Sequence, residues 1–229
     1  MQTDEVKRFI RLYKLTVKSI EKDYELAQAD PAVAVILAPW FPVKCYYALY
    51  YLESILLHLT DGGMHGYGKG GHSQVRKMLK NHVRSGAIVF SSVEINNVYV
   101  LQQIQSLPTV VSGGTTTLSY WTSGQCVYSI AKKLFEYKLH NAKSTNGWNL
   151  RTSIDRTRRD QYLRRECLML LDFFYWYRIK ANYRDLDYID FENGISDEEI
   201  FEYLESYFEA FKAYSNLLGA EVNRLLRVP

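Results

Sequence analysis

The segment from Val43 to Thr60 is apolar on almost every side, and no other feature of this 229-residue sequence constrains the fold as strongly. Drawn as a helix, it has no broad polar face, and Glu53 and His58 are its polar interruptions. A helix that is apolar all round must be enclosed by other elements. The segment therefore predicts the central helix of a helical bundle, with Glu53 as a buried or half-buried hydrogen-bond partner.

Three further segments repeat their apolar residues every three or four positions, which predicts long amphipathic helices. They run from Thr3 to Ala27, from Arg151 to Tyr183 and from Ser196 to about Leu226. The last of them begins with Ser-Asp-Glu-Glu, the pattern of a capping box. On the second helix, apolar residues from Ile154 onward predict the face that packs against the core.

The middle of the chain differs in composition from its two ends. Residues 85–125 are rich in Val, Ser, Thr and Gly, which predicts an insertion with a short β-hairpin or only partial order, and a helix over about 96–107 is also possible. Around it we expect shorter helices over 72–83 and 126–141, and a packed connection or single helical turn over 32–42. No linker separates two cores, so the predicted fold class is one all-α, up-and-down helical bundle with this insertion.

Composition and short motifs exclude several classes of protein. The net charge of +3 is too small to indicate a nucleic-acid-binding protein by itself. The sequence has no Cys-x-x-Cys, His-Glu-x-x-His or Gly-x-Ser-x-Gly motif, so we expect no metal and no cofactor. Its three distant cysteines predict reduced thiols in a cytoplasmic protein. We expect no signal peptide and no membrane span, and the glycine-rich stretch Asp61–Gly71 predicts an interhelical loop rather than a phosphate-binding one.

Basic and acidic side chains are segregated in the last third of the chain. Residues 151–184 hold eight arginines and one lysine against four acids, whereas residues 185–209 hold ten acids and no lysine or arginine. Five arginines near the start of the predicted helix form what we call the arginine cluster: Arg156, Arg158, Arg159, Arg164 and Arg165. The cluster predicts either a phosphate-binding stripe for nucleic acid or a surface that neutralises the acids of the next helix.

A histidine and an arginine that reach one phosphate can cleave RNA without a metal. The histidine then moves protons, and the arginine stabilises the charged transition state. His72 lies four residues before Arg76, and His82 follows Arg76 with five residues between them. These three side chains are therefore the candidate catalytic residues.

Two segments resemble the HEPN superfamily of helical bundle proteins. Residues 44–57 read KCYYALYYLESILL and are followed by a glycine-rich loop and His72, as in the central helix of that superfamily. Residues 177–183 read YRIKANY and are similar to its Arg-x-x-Ala-(Asp/Asn)-Tyr signature. The resemblance makes Arg178, Asn182 and Tyr183 the family-motif residues.

The resemblance implies an all-α bundle that forms a homodimer and has a role with nucleotides or RNA. Many members are metal-independent ribonucleases of toxin–antitoxin or other defence systems, and a nucleotidyltransferase or an antitoxin is the partner that this implies. Their active motif is an arginine followed by a histidine after four to six residues, but Arg178 is followed by Tyr183 instead. Arg178 itself is expected to be partly buried and paired with Asp187 or Asp190.

Three hypotheses about function therefore follow from the sequence. The first is a HEPN-like protein that binds RNA or nucleotides. The second is a metal-independent HEPN ribonuclease, and the third is a non-catalytic dimeric interaction module whose charges pair only its own helices.

Overall fold

The structure is a computed structural model, and it describes residues 4–61, 71–91, 99–101, 135–136, 138–169, 171–175, 178 and 196–227. In the described part of the first 85 residues, helices follow one another with short connections. They are α1 (Asp4–Ala29), α2 (Pro31–Leu37), α3 (Phe41–Asp61) and α4 (Gly71–Ser85).

In the later part of the chain, the described residues include two further long helices and a short antiparallel ladder. These elements are β1 (Tyr99–Val100), α5 (Ser153–Arg165), β2 (Cys167–Leu168) and α6 (Asp197–Leu226). In the ladder, Tyr99 pairs with Leu168 and Val100 with Cys167. Residues 138–146 and 172–175 are also helical.

Helix α3 is the central element, as its sequence predicts. It packs against α1, α4 and α6, and most of its side chains are buried, including Glu53 at 1% exposure. Helix α6 also packs against α1 and α2. The described chain is mostly helical, which confirms the predicted all-α bundle.

Polar contacts at the edge of the bundle join α1 to α6. The hydroxyl of Tyr13 lies 2.6 Å from Oγ of Ser215, and the hydroxyl of Tyr24 donates to Glu205 at 2.8 Å. The ring of Tyr24 stacks on Phe208 with 4.3 Å between centroids. Helices α1 and α6 are therefore held in register by both polar and aromatic contacts.

The prediction of a single long helix over 151–183 is wrong. Helix α5 ends at Arg165, because Glu166 adopts an extended backbone with φ −82° and ψ 143°. The chain then pairs with β1, turns at Met169, and becomes helical again from Asp172. The break arises from contacts with distant parts of the chain, which override the helical period of the local sequence.

Several smaller expectations are also revised. Ile154, predicted to face the core, is 65% exposed. The helix considered over 96–107 does not include Tyr99 and Val100, because these residues form a strand that pairs with β2. The connection predicted over 32–42 contains the seven-residue helix α2, which Asp30 caps by accepting from the Ala32 N–H. The remainder of the predicted insertion and most of the helix predicted over 126–141 lie outside the described residues.

The capping box predicted at the start of the last helix is present. Oγ of Ser196 accepts from the Glu199 N–H at 3.2 Å, and the Glu199 carboxylate accepts from the Ser196 N–H at 2.9 Å. We expect Ser196→Ala to lower the free energy of unfolding by about 1 kcal/mol, because the Glu199 N–H at the start of the helix loses its side-chain acceptor. Urea denaturation followed by circular dichroism measures this change. Ser196→Asp, which retains a capping oxygen, should stay close to the wild type, and equal losses in both variants would contradict the assignment.

Candidate anion-binding cleft

A buried group of four charged side chains links α3, α4 and the chain that follows β2. We call it the buried quartet, and it consists of Glu53, Arg76, Lys80 and Asp172. Nε of Arg76 donates to the Asp172 carboxylate at 2.8 Å, and Nζ of Lys80 lies 3.2 Å from the same carboxylate. Nη1 of Arg76 lies 3.5 Å from Oε1 of Glu53. The quartet thus contains two cations and two carboxyl groups.

Burial and mutual attraction shift the pKa values of the quartet in different directions. Burial raises the pKa of Glu53 to about 7, and the nearby Arg76 only partly opposes this. Burial acts in the same direction on Asp172, but Arg76 and Lys80 outweigh it and hold the Asp172 pKa well below its ordinary value. Asp172 is therefore the permanent anion of the quartet, whereas Glu53 is close to its titration point at neutral pH.

Above the quartet lies a cleft of about 780 Å³ between α4 and residues 165–175. Two carboxylates, Glu166 and Asp172, are among the described residues that line this basic cleft. Its six cationic side chains are Arg76, Lys77, Lys80, Arg84, Lys138 and Arg165. The cleft therefore has a formal excess of four positive charges, which makes it a candidate site for an anion.

The cations of the basic cleft differ in how far they are committed to other contacts. Arg76 is 4% exposed and belongs to the buried quartet, and Nζ of Lys138 lies 2.9 Å from Glu166. Lys77 and Arg84 are exposed on the α4 wall. On the opposite wall, the Arg165 side chain is 78% exposed and lies 3.7 Å from Glu166. Lys77, Arg84 and Arg165 can therefore reach a ligand without disturbing the buried quartet.

A second, smaller cavity of about 360 Å³ adjoins the basic cleft at Arg165, which lines both. Two aromatic side chains, Trp148 and Tyr162, line this small cavity and meet edge to face with 5.6 Å between centroids. Its remaining lining residues are Asn146, Arg158 and Gln161. The small cavity thus combines aromatic rings, amides and arginines.

The structure divides the arginine cluster between different faces of α5. Successive helical residues are turned by about 100°, so Arg158 and Arg165 lie on one face, and they are the two cluster members that line the cavities. The other three members lie on other faces of the helix: Arg156, Arg159 and Arg164. The cluster's described ion pairs are within its own segment, with Asp155, Asp160 and Glu166 as partners.

The three candidate catalytic residues have different partners in the structure. Nδ1 of His72 lies 2.7 Å from the Tyr46 hydroxyl, and burial, with help from Arg178 and Arg76, lowers the pKa of His72 to about 4. Nε2 of His82 lies 2.9 Å from Asp61 at the end of α3. Arg76 is held in the buried quartet, so the structure does not pair it with either histidine.

Arg178 lies where the two segments that carry the family resemblance meet. It is 9% exposed, which confirms the expected burial, and its guanidinium lies 5.2 Å from the Tyr46 ring centroid and 5.4 Å from that of Tyr47. The proposed partners of Arg178 and the other family-motif residues lie outside the described residues. They are Asp187, Asp190, Asn182 and Tyr183.

Sequence reasoning missed several side chains of the cleft. From the sequence, Asp172 was given no role beyond offsetting the charge of the arginines. It is, however, an isolated acid in the apolar run from Cys167 to Tyr177. A lone carboxyl group in such a run signals a buried partner of opposite charge. Lys77 and Arg84 lie at exposed positions of α4, where single basic residues carry no distinctive sequence signal.

Comparisons with known proteins identify no relative of this chain: no family model, no curated protein and no solved structure matches it. Among the described residues, no three His, Cys, Asp or Glu side chains come together as a metal site. No single described helix has both the length and the apolar character needed to cross a membrane. The pair α2–α3 meets that test of length and composition only when joined, and it is bent by 63°.

The ion pair in the floor of the cleft predicts a large effect on stability. We expect Asp172→Ala to lower the free energy of unfolding by about 3–5 kcal/mol, because Arg76 would stay buried without its carboxylate and the half-buried Lys80 would lose the same partner. Asp160→Ala is the control, since it removes a half-exposed carboxylate that pairs with Arg159 on the same part of the chain and should change stability by less than about 1 kcal/mol. Thermal and urea denaturation compare the two variants. Equal losses would contradict the role of Asp172.

The raised pKa of Glu53 predicts a pH-dependent stability. Its pKa is about 7 in the folded chain and ordinarily 4.5, so the folded state retains a proton that the unfolded state releases. This stabilisation is complete below the ordinary pKa and is lost as the pH rises through the folded value. Relative to Glu53→Gln, the wild type should lose about 2–3 kcal/mol between about pH 5 and about pH 8. A difference in the free energy of unfolding between the wild type and Glu53→Gln that stays constant over this pH range would contradict the prediction.

Proposed function

We propose that this chain is a HEPN-like protein that binds RNA or nucleotides in the basic cleft. The observation that carries the proposal is the charge of the cleft, where six lysine and arginine side chains face two carboxylates. Phosphate groups are anions that such side chains bind through charge-assisted hydrogen bonds, with release of counterions. The volume of about 780 Å³ lies within the usual range of small-ligand sites.

The position of the segments that resemble the HEPN superfamily supports the same proposal. Residues 44–57 lie on α3, and Arg178 of the second segment packs over Tyr46 and Tyr47 of the first. Tyr46 in turn contacts His72 at the start of α4, the helix that forms one wall of the cleft. The two segments are therefore joined beside the proposed binding site.

The metal-independent ribonuclease is the alternative, and the described contacts favour binding over cleavage. His72 has a pKa lowered to about 4, so it is neutral near pH 7 and is a poor proton donor. Arg76 is committed to Asp172 and Glu53, which leaves it little freedom to follow charge on a reacting phosphate. His82, paired with Asp61, is the histidine whose removal tests this alternative.

The proposal includes a homodimer and a place in a defence or toxin–antitoxin system, beside a nucleotidyltransferase or an antitoxin. Ile36 at 72% exposure and Trp40 at 61%, four residues apart, provide apolar surface for contact with another chain. In the third hypothesis, the non-catalytic interaction module, that surface would be the functional one and RNA would not bind.

Salt-dependent RNA binding tests the proposal. We expect the affinity for a labelled single-stranded RNA, measured by fluorescence anisotropy, to fall steeply from about 50 to about 200 mM salt. Lys77→Ala/Arg84→Ala should flatten the slope of log affinity against log salt by about 0.7 for each lost phosphate contact. Arg11→Ala/Lys14→Ala removes the same charge from exposed positions of α1 and should leave the slope unchanged.

The outcomes separate the three hypotheses. Equal slopes in the two double variants would contradict binding in the cleft, and absence of binding would favour the interaction module. The same RNA incubated with the protein in EDTA should keep its length. Cleavage that disappears in His82→Ala would instead favour the ribonuclease.

A further inference from the structure

Arg165 lies at the junction of the basic cleft and the small cavity and lines both. Its side chain is 78% exposed, and its nearest described carboxylate is Glu166 at 3.7 Å. Lys138, which bonds to Glu166 at 2.9 Å, and Arg84, which lies 3.7 Å from Sγ of Cys167, are at the same end of the cleft. Three of the six cationic side chains of the cleft thus lie near the point where the two cavities meet.

The basic cleft has a direction, because the chain from Cys167 to Tyr175 runs antiparallel to α4. Arg84 and Lys80 contact Cys167, whereas Arg76, about two turns earlier on α4, contacts Asp172 and lies 5.2 Å from the Tyr175 ring centroid. The end away from Arg165 is therefore lined by Tyr175 and by two uncharged polar side chains, Ser73 and Gln74. The end at Arg165 thus has cationic side chains, and the far end adds an aromatic ring and uncharged polar side chains beside Arg76.

The small cavity repeats this combination on the other side of Arg165. Trp148 and Tyr162 supply aromatic rings, and Asn146 and Gln161 supply amides that can both donate and accept hydrogen bonds. Single-stranded nucleic acids are bound by this pairing of cationic side chains for the backbone with aromatic rings for the bases. Amide side chains add hydrogen bonds to the exposed edges of unpaired bases.

We propose that the basic cleft and the small cavity form one track for single-stranded RNA, with Arg165 bound to the phosphodiester between two nucleotides. This inference rests on the proposed function and adds the form of the ligand. One base lies toward Tyr175 and the next lies against Trp148 and Tyr162. A mononucleotide fills only one of the two compartments, and a duplex cannot enter, because its bases are paired and stacked.

The length of the RNA tests the two-compartment track. Binding of adenylate mononucleotide, dinucleotide and hexanucleotide, and of a blunt RNA duplex, is measured by isothermal titration calorimetry at one salt concentration. The dinucleotide should bind about tenfold or more tightly than the mononucleotide, since it gains a second base contact. The duplex should bind more weakly than a single strand of the same sequence.

Two neighbouring arginines provide a matched pair of variants. Arg165→Ala should weaken dinucleotide binding by about tenfold, because a charge-assisted contact to the phosphodiester is lost. Arg164→Ala removes the same charge from the adjacent exposed position, which lines neither cavity, and should change the affinity by less than about twofold. Both side chains are exposed, so neither change should affect folding, which thermal melts can check.

The possible results distinguish this inference from the proposed function. If RNA binds but the mononucleotide and the dinucleotide bind equally, or if Arg164→Ala and Arg165→Ala lose equal affinity, the track is wrong and the proposed function stands. If no RNA or nucleotide binds, both are wrong. A gain at the dinucleotide that Arg165→Ala removes and Arg164→Ala retains supports the track.

Discussion

The ion pair between Arg76 and Asp172 is the contact on which the architecture of the cleft depends. Two charges that are almost fully buried are stable only when they face each other with their hydrogen bonds satisfied. Asp172 meets this condition by accepting from Arg76, from Lys80 and from the Met169 N–H, and Arg76 also faces Glu53. These contacts hold α3, α4 and the turn after β2 in one arrangement, and the walls of the basic cleft follow from it.

The helices that enclose the core could be predicted because their sequence signals are long and local. Helices α1, α3 and α6 each span more than five turns, and the start of α6 carries its capping residues next to the first apolar position. The helix predicted over residues 151–183 failed, and its first half carried a weaker signal, because Ile154, Tyr162 and Leu163 are the only large apolar residues from 151 to 165. The chain leaves the helix after Arg165 because Cys167 and Leu168 pair with a strand more than sixty residues earlier and Asp172 pairs with Arg76 on α4. No local pattern contains those partners.

The candidate site was only partly visible in the sequence. Arg76 was predicted from its spacing to His72 and His82 and the arginine cluster from its charge, and Arg158 and Arg165 do line cavities. Counting residues along the chain treated all five arginines as one stripe, whereas the helical turn separates them, and this separation was predictable from the period of α5. The cleft itself was not predictable, since its walls come from α4, Lys138 and residues 165–175, which only the tertiary structure brings together.

The packing of α6 against the first three helices has a consequence for the nascent chain. Phe41 of α3 meets Tyr207 and Phe208 edge to face, and Tyr24 of α1 stacks on Phe208, so the aromatic surface of the N-terminal helices is covered by residues near the end of the sequence. During synthesis, helices α1 to α3 leave the ribosome long before their cover exists. Chains interrupted before Asp197 would present this aromatic surface to the solvent and be prone to aggregate. Completion of α6 is therefore the step that covers the aromatic surface of the N-terminal helices.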